Sequence, residues 1–432
     1  MSSKLSTFIK TNRILLILNL VIVSYYAWFM AYFGFGVRID ELVFSASDAR
    51  EYQDYILFLK GQSGYCNPNR PFFYPLLLMV ATTLGGAKGV WLMQAFFWLA
   101  TCNLSYLSVK KMGGGIFWSS ISFLLIGTYF SANILTVYAL TEITILFLLS
   151  LLVFMFSQSF GKVKKISWGI SILAILAILF ATKPFFQLSL WVAVVLFMIC
   201  FFNVIRKRKI VWIWILLALS PAIIQYSINK SYHGVWVSDT LIDHNLRWYL
   251  MNKVDFYEAT GNLEEFNYLS DSVYKAREAK LAELSIHEVR SYLWEHKSAT
   301  FTVMVDNFCA NVNTANPYLD AAANPNLSMR SWKVNGKFLR LHIYMFIALF
   351  IYFAITLWKK PGEFHFYLLC LGFICYMILL SVSITFWAGD RLVVPAIAIW
   401  AVMYPVFIAR VIRPLVMENA FVKKLALRLR KK

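Results

Sequence analysis

Acidic and aromatic side chains are interleaved in Ser47-Asp48-Ala49-Arg50-Glu51-Tyr52-Gln53-Asp54-Tyr55, and Arg70-Pro71-Phe72-Phe73-Tyr74-Pro75 follows soon after. Both segments lie just beyond the first apolar run. A carboxylate at the lip of a bilayer can take a proton from a polar acceptor while the lipid phase brings a greasy donor, and an arginine beside it can hold an anion bidentately. Three later charges stand at the ends of apolar runs: Glu142, Lys183 and Arg391. An acid there is costly unless paired or facing a wet cavity, so Glu142 marks a site or a structural ion pair. Lys183 and Arg391 can neutralise charge that builds on a departing phosphate; the alternatives are snorkelling, or pairing with Asp390 or Glu142.

The elements that must position these residues follow from composition. The chain is 60% hydrophobic and 17% aromatic, with apolar runs of about 20 residues, long enough to cross hydrocarbon as helices. Lipid offers no hydrogen bonds to a bare peptide group, and nothing alternates like a barrel strand. The expectation is an all-α, polytopic transmembrane bundle of about ten spans. The spans are placed over 14–35, 89–108, 115–135, 139–157, 166–181, 184–204, 210–229, 338–358, 364–385 and 391–412.

The net charge of +19 could suggest a nucleic-acid partner, but its distribution excludes that class. Basic residues gather in every second connection, among them Lys162, Lys164 and Lys165, then Arg206 to Lys209, and the tail over 413–432. The positive-inside rule places both termini in the cytoplasm of a multi-pass protein of the plasma (inner) membrane, with the basic runs as topology signals and lipid-headgroup contacts. The first apolar run is too long for a cleaved signal and reads as a retained helix. With that orientation a first loop, 36–88, and a larger one between spans seven and eight, 230–337, face outward. One membrane domain over 1–432 carries them both.

In the first loop a helix is expected to start near Ser45 to Ser47, with serine as its cap and Asp48 and Glu51 on the positive end of its dipole. Asp48, Tyr52 and Tyr55 then share a face at i, i+4, i+7. Asp48 is either a catalytic acid–base group or a plain capping acid. Tyr65 to Arg70 reads as a turn, and Leu76 to Leu84 as a short interfacial helix ending at Gly85-Gly86. In the larger loop Ser285-Ile286-His287-Glu288 is a capping box opening an amphipathic helix suited to lying along the membrane. Asn311 to Asn326 reads as loop, either a lid or a plain connection. Of six cysteines, Cys66 and Cys309 alone fall in these loops, as a disulfide or as two free thiols. The histidines make no zinc pattern, and neither loop holds a dense carboxylate cluster, so no metal is expected.

Taken together, the acidic first loop and Arg70-Pro71-Phe72-Phe73-Tyr74-Pro75-Leu76-Leu77-Leu78 resemble the GT-C class of membrane glycosyltransferases, which includes protein O-mannosyltransferases and lipid A aminoarabinose transferases. Other fragments agree in order: Leu140-Thr141-Glu142, Thr182-Lys183-Pro184, Val289 to Phe301 with Glu295-His296, and Gly389-Asp390-Arg391 before Pro395. The resemblance implies transfer of a sugar from a polyprenyl-phosphate donor to a glycan, lipid or protein acceptor on the outer side. The lipid-linked sugar is a substrate, and no cofactor is implied. It makes Asp48 the base, with Glu142 as second acid; many relatives carry Asp-Glu where Ala49 follows Asp48 here, so that second role could instead pass to Glu51 or Asp54. Lys183, Arg391 and Arg70 become phosphate ligands, and Tyr52, Tyr55, Tyr74 and Arg247 candidate sugar or acceptor contacts. Arg247 lies in Asp243-His244-Asn245-Leu246-Arg247-Trp248-Tyr249, which could equally be an interfacial anchor. An O-antigen polymerase or ligase, or a lipid-linked saccharide flippase, remains as an alternative, although the paired repeats or broken helices of transporters are not seen.

Overall fold

A computed structural model describes residues 2–158, 165–236, 241–269, 271–336, 372, 374–375, 379–386 and 388–409. Among them every regular element is helical. Five stretches are long and apolar enough to cross a membrane: Arg13–Tyr32, Phe73–Lys111, Thr141–Gln158, Pro184–Lys207 and Ile210–His233. The chain is a multi-pass membrane protein. Ile166–Thr182 and Gly115–Gly127 are shorter apolar helices. The expected span 338–358, most of 364–385, and the tail 413–432 lie outside the described residues.

Two expected spans are not single helices. Over 115–135 the helix Gly115–Gly127 ends, Tyr129 is extended, and Phe130–Leu135 starts afresh. Asn133 donates to the Gly127 carbonyl (3.2 Å), while Asn335 accepts from the Phe130 N–H (3.1 Å) and donates to the Thr128 carbonyl (3.2 Å). These amides replace ladder bonds that a bare break in an apolar setting would leave unmade. Over 391–412 the chain opens as two 3₁₀ turns, Gly389–Leu392 and Val394–Ala396, before the helix Ile397–Phe407. Pro395 has no N–H to give to an earlier turn and suits such an entry.

Thr141–Gln158 is the central helix. Of its most apolar stretch 72% is buried, against 17–28% for the other four. Its residues are apolar all round, as a helix enclosed by protein requires, and Glu142 in its first turn is carried into the interior with it.

Phe73–Lys111 bends sharply at Gly85 and Gly86, whose backbones are not helical, and Gly86 takes φ +58°. The two arms come so close that a Cβ on Gly89 would run into the Ala81 carbonyl. Gly86 therefore permits the turn, and Gly89 permits the contact that the turn creates. The first arm is the short helix expected after Pro75, joined to the following span through this bend.

The larger connection carries Asn252–Thr260, Asp271–Ala282, Ile286–Glu295 and Lys297–Asn313, packed around Leu250, Val254, Leu281, Val289 and Val303. The capping box is present: Ser285 Oγ accepts from the Glu288 N–H (3.3 Å) and Glu288 Oε2 from the Ser285 N–H (2.6 Å). The stretch Val289 to Phe301 is broken at His296, where Thr300 Oγ1 donates to the Leu293 carbonyl (2.9 Å).

Asn311 to Asn326 is no open loop. Asn311 is buried in the last turn of Lys297–Asn313; it donates to the carbonyls of Val382 (2.9 Å) and Thr385 (2.6 Å) and accepts from the Gly389 N–H (3.1 Å). Pro317–Ala321 forms a 3₁₀ turn capped by Asn316, and 325–336 is helical. Cys66 is buried beside Tyr55 and Phe72, Cys309 lies on Lys297–Asn313, and both are free thiols.

Replacing Gly89 by leucine should force the arms of the bend apart and destabilise the protein by about 1–3 kcal/mol, the usual cost of overpacking. Gly64, where a Cβ meets nothing within 4 Å, is the control, and its replacement by alanine should leave the thermal melt in detergent unchanged. Equal melts for the two variants would show that the close approach is not needed.

Candidate active site

The helix Ser47–Leu59 begins at Ala46, whose backbone is extended and whose side chain makes no cap. Ser45 instead donates to the Leu42 carbonyl (2.9 Å), so neither serine caps the helix through its side chain. Asp48 does not cap it either. Its carboxylate points away from the helix and is held at both oxygens: Arg70 Nη2 reaches Oδ1 at 2.8 Å, and Arg391 Nη2 reaches Oδ2 at 3.0 Å.

Each guanidinium is itself fixed. Arg70 follows a turn in which Asn67 Oδ1 accepts from the Asn69 N–H (2.9 Å); its Nε donates to Glu51 Oε2 (2.8 Å), and its plane lies 5.1 Å from the Tyr52 ring centre. Gln225 of Ile210–His233 accepts the Phe72 N–H (2.9 Å) and anchors the segment just after the arginine. Arg391 Nη1 donates to the Tyr318 hydroxyl (2.7 Å), and Tyr318 stacks on Tyr138.

The turn that aims Arg391 is tied down by its neighbours. Gly389 has φ +61°, and a Cβ there would meet the Ala315 carbonyl. Asp390 is buried and does not pair with Arg391. It accepts from Ser131 Oγ, from the Tyr129 hydroxyl (3.1 Å) and from Trp332 Nε1 (2.9 Å). Neutral donors thus hold the carboxylate that the sequence offered as an ion-pair partner.

These groups line a cavity of about 380 Å³. Glu142 and Lys183 line its other side. Glu142 is 3% exposed, and among the described residues no donor reaches its Oε2. Lys183 stands between Ile166–Thr182 and Pro184–Lys207, and no described carboxylate forms an ion pair with it. Burial lowers the pKa of its ammonium, opposed chiefly by Glu142. For Asp48, burial alone would raise the carboxyl, but Arg391, Arg70 and Lys183 together outweigh it and hold the group down at about 2. Asp48 is therefore ionised at any working pH of the empty site.

Of the residues expected to act, Asp48, Glu142, Lys183, Arg391, Arg70 and Tyr52 meet around this one cavity. Tyr74, Tyr55 and Arg247 are not among its walls. Tyr74 is wholly buried behind Tyr52, edge to face at 4.9 Å. Tyr55 shares the helix face of Asp48 but lies about 10 Å further along the axis, where it packs with Cys66 and Phe72. Arg247 turns outward and donates to the Ala282 carbonyl (3.0 Å). Its segment winds as a π-helix, Asn245–Met251, and the residues of it and of the preceding turn that reach the cavity are His244, Asn245 and Tyr249. A π-helix alters the angle per residue, and apolar periodicity does not announce one. Glu51 faces the cavity, whereas Asp54 is exposed and does not. Thr141, Thr182, Ser381 and Thr385 complete the polar walls; of these, the first two adjoin Glu142 and Lys183 and could have been found from them.

No protein-family model matches the sequence, and no curated protein matches it. Two solved structures of ArnT from Cupriavidus metallidurans are similar to it at 11% identity. One, bound to undecaprenyl phosphate, has a TM-score of 0.40 with 91% of this chain and 78% of that chain covered. The other, in the apo state, has a TM-score of 0.34 with 91% and 79% covered.

The low position of the Asp48 carboxyl carries a stability consequence. A carboxylate with a depressed folded-state pKa stabilises the fold above its unfolded value, and that contribution is lost as pH falls through the folded value. From about 3.8 to about 2 this amounts to an effect of order 2 kcal/mol. Asp48→Asn should therefore melt below the wild type by a constant margin from about pH 8 to 5, and the margin should shrink below about pH 4. A margin that stays constant under acid would contradict the double ion pair.

Proposed function

We propose that this protein is a membrane glycosyltransferase of the GT-C kind, moving a sugar from a polyprenyl-phosphate donor to an acceptor on the outer side of the plasma membrane, with inversion and without a metal. The observation that carries this reading is the convergence of Arg70, Lys183 and Arg391 with Asp48 and Glu142 on one partly enclosed cavity. Two needs of sugar transfer from a phosphate are met by those residue types: cations for the leaving group and a carboxylate for the acceptor proton. The distribution of basic connections supports a cavity that faces outward.

In the proposed reaction an acceptor hydroxyl or amine attacks the anomeric carbon from the face opposite the phosphate. Its proton passes to Asp48 as the new bond forms. The bond from the anomeric carbon to the phosphate oxygen breaks, and the electron pair leaves with the polyprenyl phosphate, whose charge Lys183, Arg391 and Arg70 balance. Glu142, a wall of the cavity whose Oε2 has no partner among the described residues, orients the sugar or the acceptor through a hydroxyl hydrogen bond. Tyr52 supplies a wall beside Arg70.

Incubation with a radiolabelled polyprenyl-phosphate sugar and a membrane acceptor fraction tests the reading, by the fate of label and the release of lipid phosphate. Asp48→Asn should lower transfer by about 10²- to 10⁴-fold, the usual share of a general base, while the protein still inserts. Lys183→Ala should weaken use of the donor. Wild-type rates in the Asp48 variant would remove the base assignment, and movement of intact donor across vesicles without release of lipid phosphate would make the protein a transporter instead.

A further inference from the structure

The two guanidinium groups assigned to the donor phosphate are already partly committed. Arg70 and Arg391 each spend an Nη2 hydrogen bond on Asp48, and these donors cannot serve a phosphate at full strength at the same time. Charge leads to the same conflict. Arg70, Lys183 and Arg391 face Asp48, Glu51 and Glu142 in the cavity, so the cluster is formally neutral before any ligand arrives. A phosphate entering a neutral, partly buried cluster adds uncompensated negative charge beside a carboxylate. The cavity does hold donors in reserve: Arg391 Nε is buried with no partner among the described residues, and Lys183 is in no described ion pair.

We infer that the Asp48 carboxylate occupies the place of the donor phosphate, so that the two anions are alternative ligands of Arg70 and Arg391 and donor binding is what releases the base. This rests on the proposed transfer reaction and adds an order to it. In the empty site Asp48 is clamped, with each oxygen accepting from a guanidinium and its basicity lowered by both. When phosphate takes over the Nη2 donors, the carboxylate loses both partners and gains a negative neighbour, and both changes increase its proton affinity. The proton it then takes from the acceptor offsets the charge that the leaving phosphate gains, so the net charge of the filled site does not change during transfer. Donor binds first, and an acceptor or a water that enters an empty site meets a carboxylate too weakly basic to activate it.

Glu51 separates this exchange from a simple change of net charge. It pairs with Arg70 through Nε rather than Nη2 (2.8 Å), so Glu51→Gln removes one negative charge without vacating the shared donors. Binding of a long-chain polyprenyl monophosphate, carrying no sugar, would be titrated into the full-length protein in detergent for the wild type, Asp48→Asn, Glu51→Gln and Lys183→Ala. Asp48→Asn should tighten binding about tenfold or more, as expected when a charge-assisted hydrogen bond no longer competes. Glu51→Gln should tighten it less, and Lys183→Ala should weaken it. Asp48→Ser gives the same reading if the asparagine variant does not assemble. Binding by Asp48→Asn that is weaker than wild type, or no tighter than that of Glu51→Gln, overturns the exchange and makes Asp48 an organiser of the phosphate site. Absence of binding by all the proteins overturns the exchange together with the lipid-donor reading, a result distinct from the first.

Discussion

One carboxylate shared between two guanidiniums ties the site together. Arg70 stands 22 positions from Asp48 and Arg391 stands 343 positions away, so this interaction joins the first large connection to the last described turns of the chain. A single ion pair in a partly enclosed cavity gains little once desolvation is counted, and removing one partner of a buried pair leaves a charge that costs roughly 3–5 kcal/mol. The arrangement persists because every member is held from behind. Tyr52 and Glu51 brace Arg70, and Tyr318 braces Arg391.

Much of the remaining fold keeps those braces in place. Asn311 ties the segment before Gly389 to the helix Lys297–Asn313 by its amide and carbonyl oxygen. Asp390 accepts from three neutral donors on two separate elements and fixes the turn immediately before Arg391. The central helix carries Glu142 to the cavity from the opposite side, and most of its residues are buried in the main apolar core. Rigid polar supports of this kind let charged groups meet at defined distances without relaxing toward solvent.

The large connection between Ile210–His233 and the final described helices is part of the same construction. Its own small core holds Ile286–Glu295 and Lys297–Asn313 together, and Lys253, buried beneath it, is bonded to Asp306 (2.7 Å) and Asn307 (2.9 Å). Phe386, which lines the cavity, lies 5.5 Å from that ammonium. The connection thus contributes Tyr249 to the wall of the site, packed edge to face at 5.1 Å on Phe386.

Helical class, membrane placement and the charged residues of the cavity were legible in the sequence, because long apolar runs admit only one hydrogen-bonding solution and a charge at the end of such a run stands out. Glu142, Lys183 and Arg391 were legible for that reason, whereas Asp48 and Arg70 stood out through the interleaved acids and aromatics of the first loop and the resemblance those segments carry. Tyr55 shares the face of Asp48, but a shared face does not say how far along the axis a cavity extends; Tyr74 lies behind Tyr52 and Arg247 is bonded to the Ala282 carbonyl, placements that segment composition does not give. The break within 115–135 depends on Asn335, and the closure of Asn311 to Asn326 on carbonyls of Val382 and Thr385. Those partners lie far off in the chain, and periodicity is local. Sequence by itself determined which side chains could not be left in lipid without a purpose; the tertiary structure alone decided which of them meet, because distance between charges is set by packing and not by order along the chain.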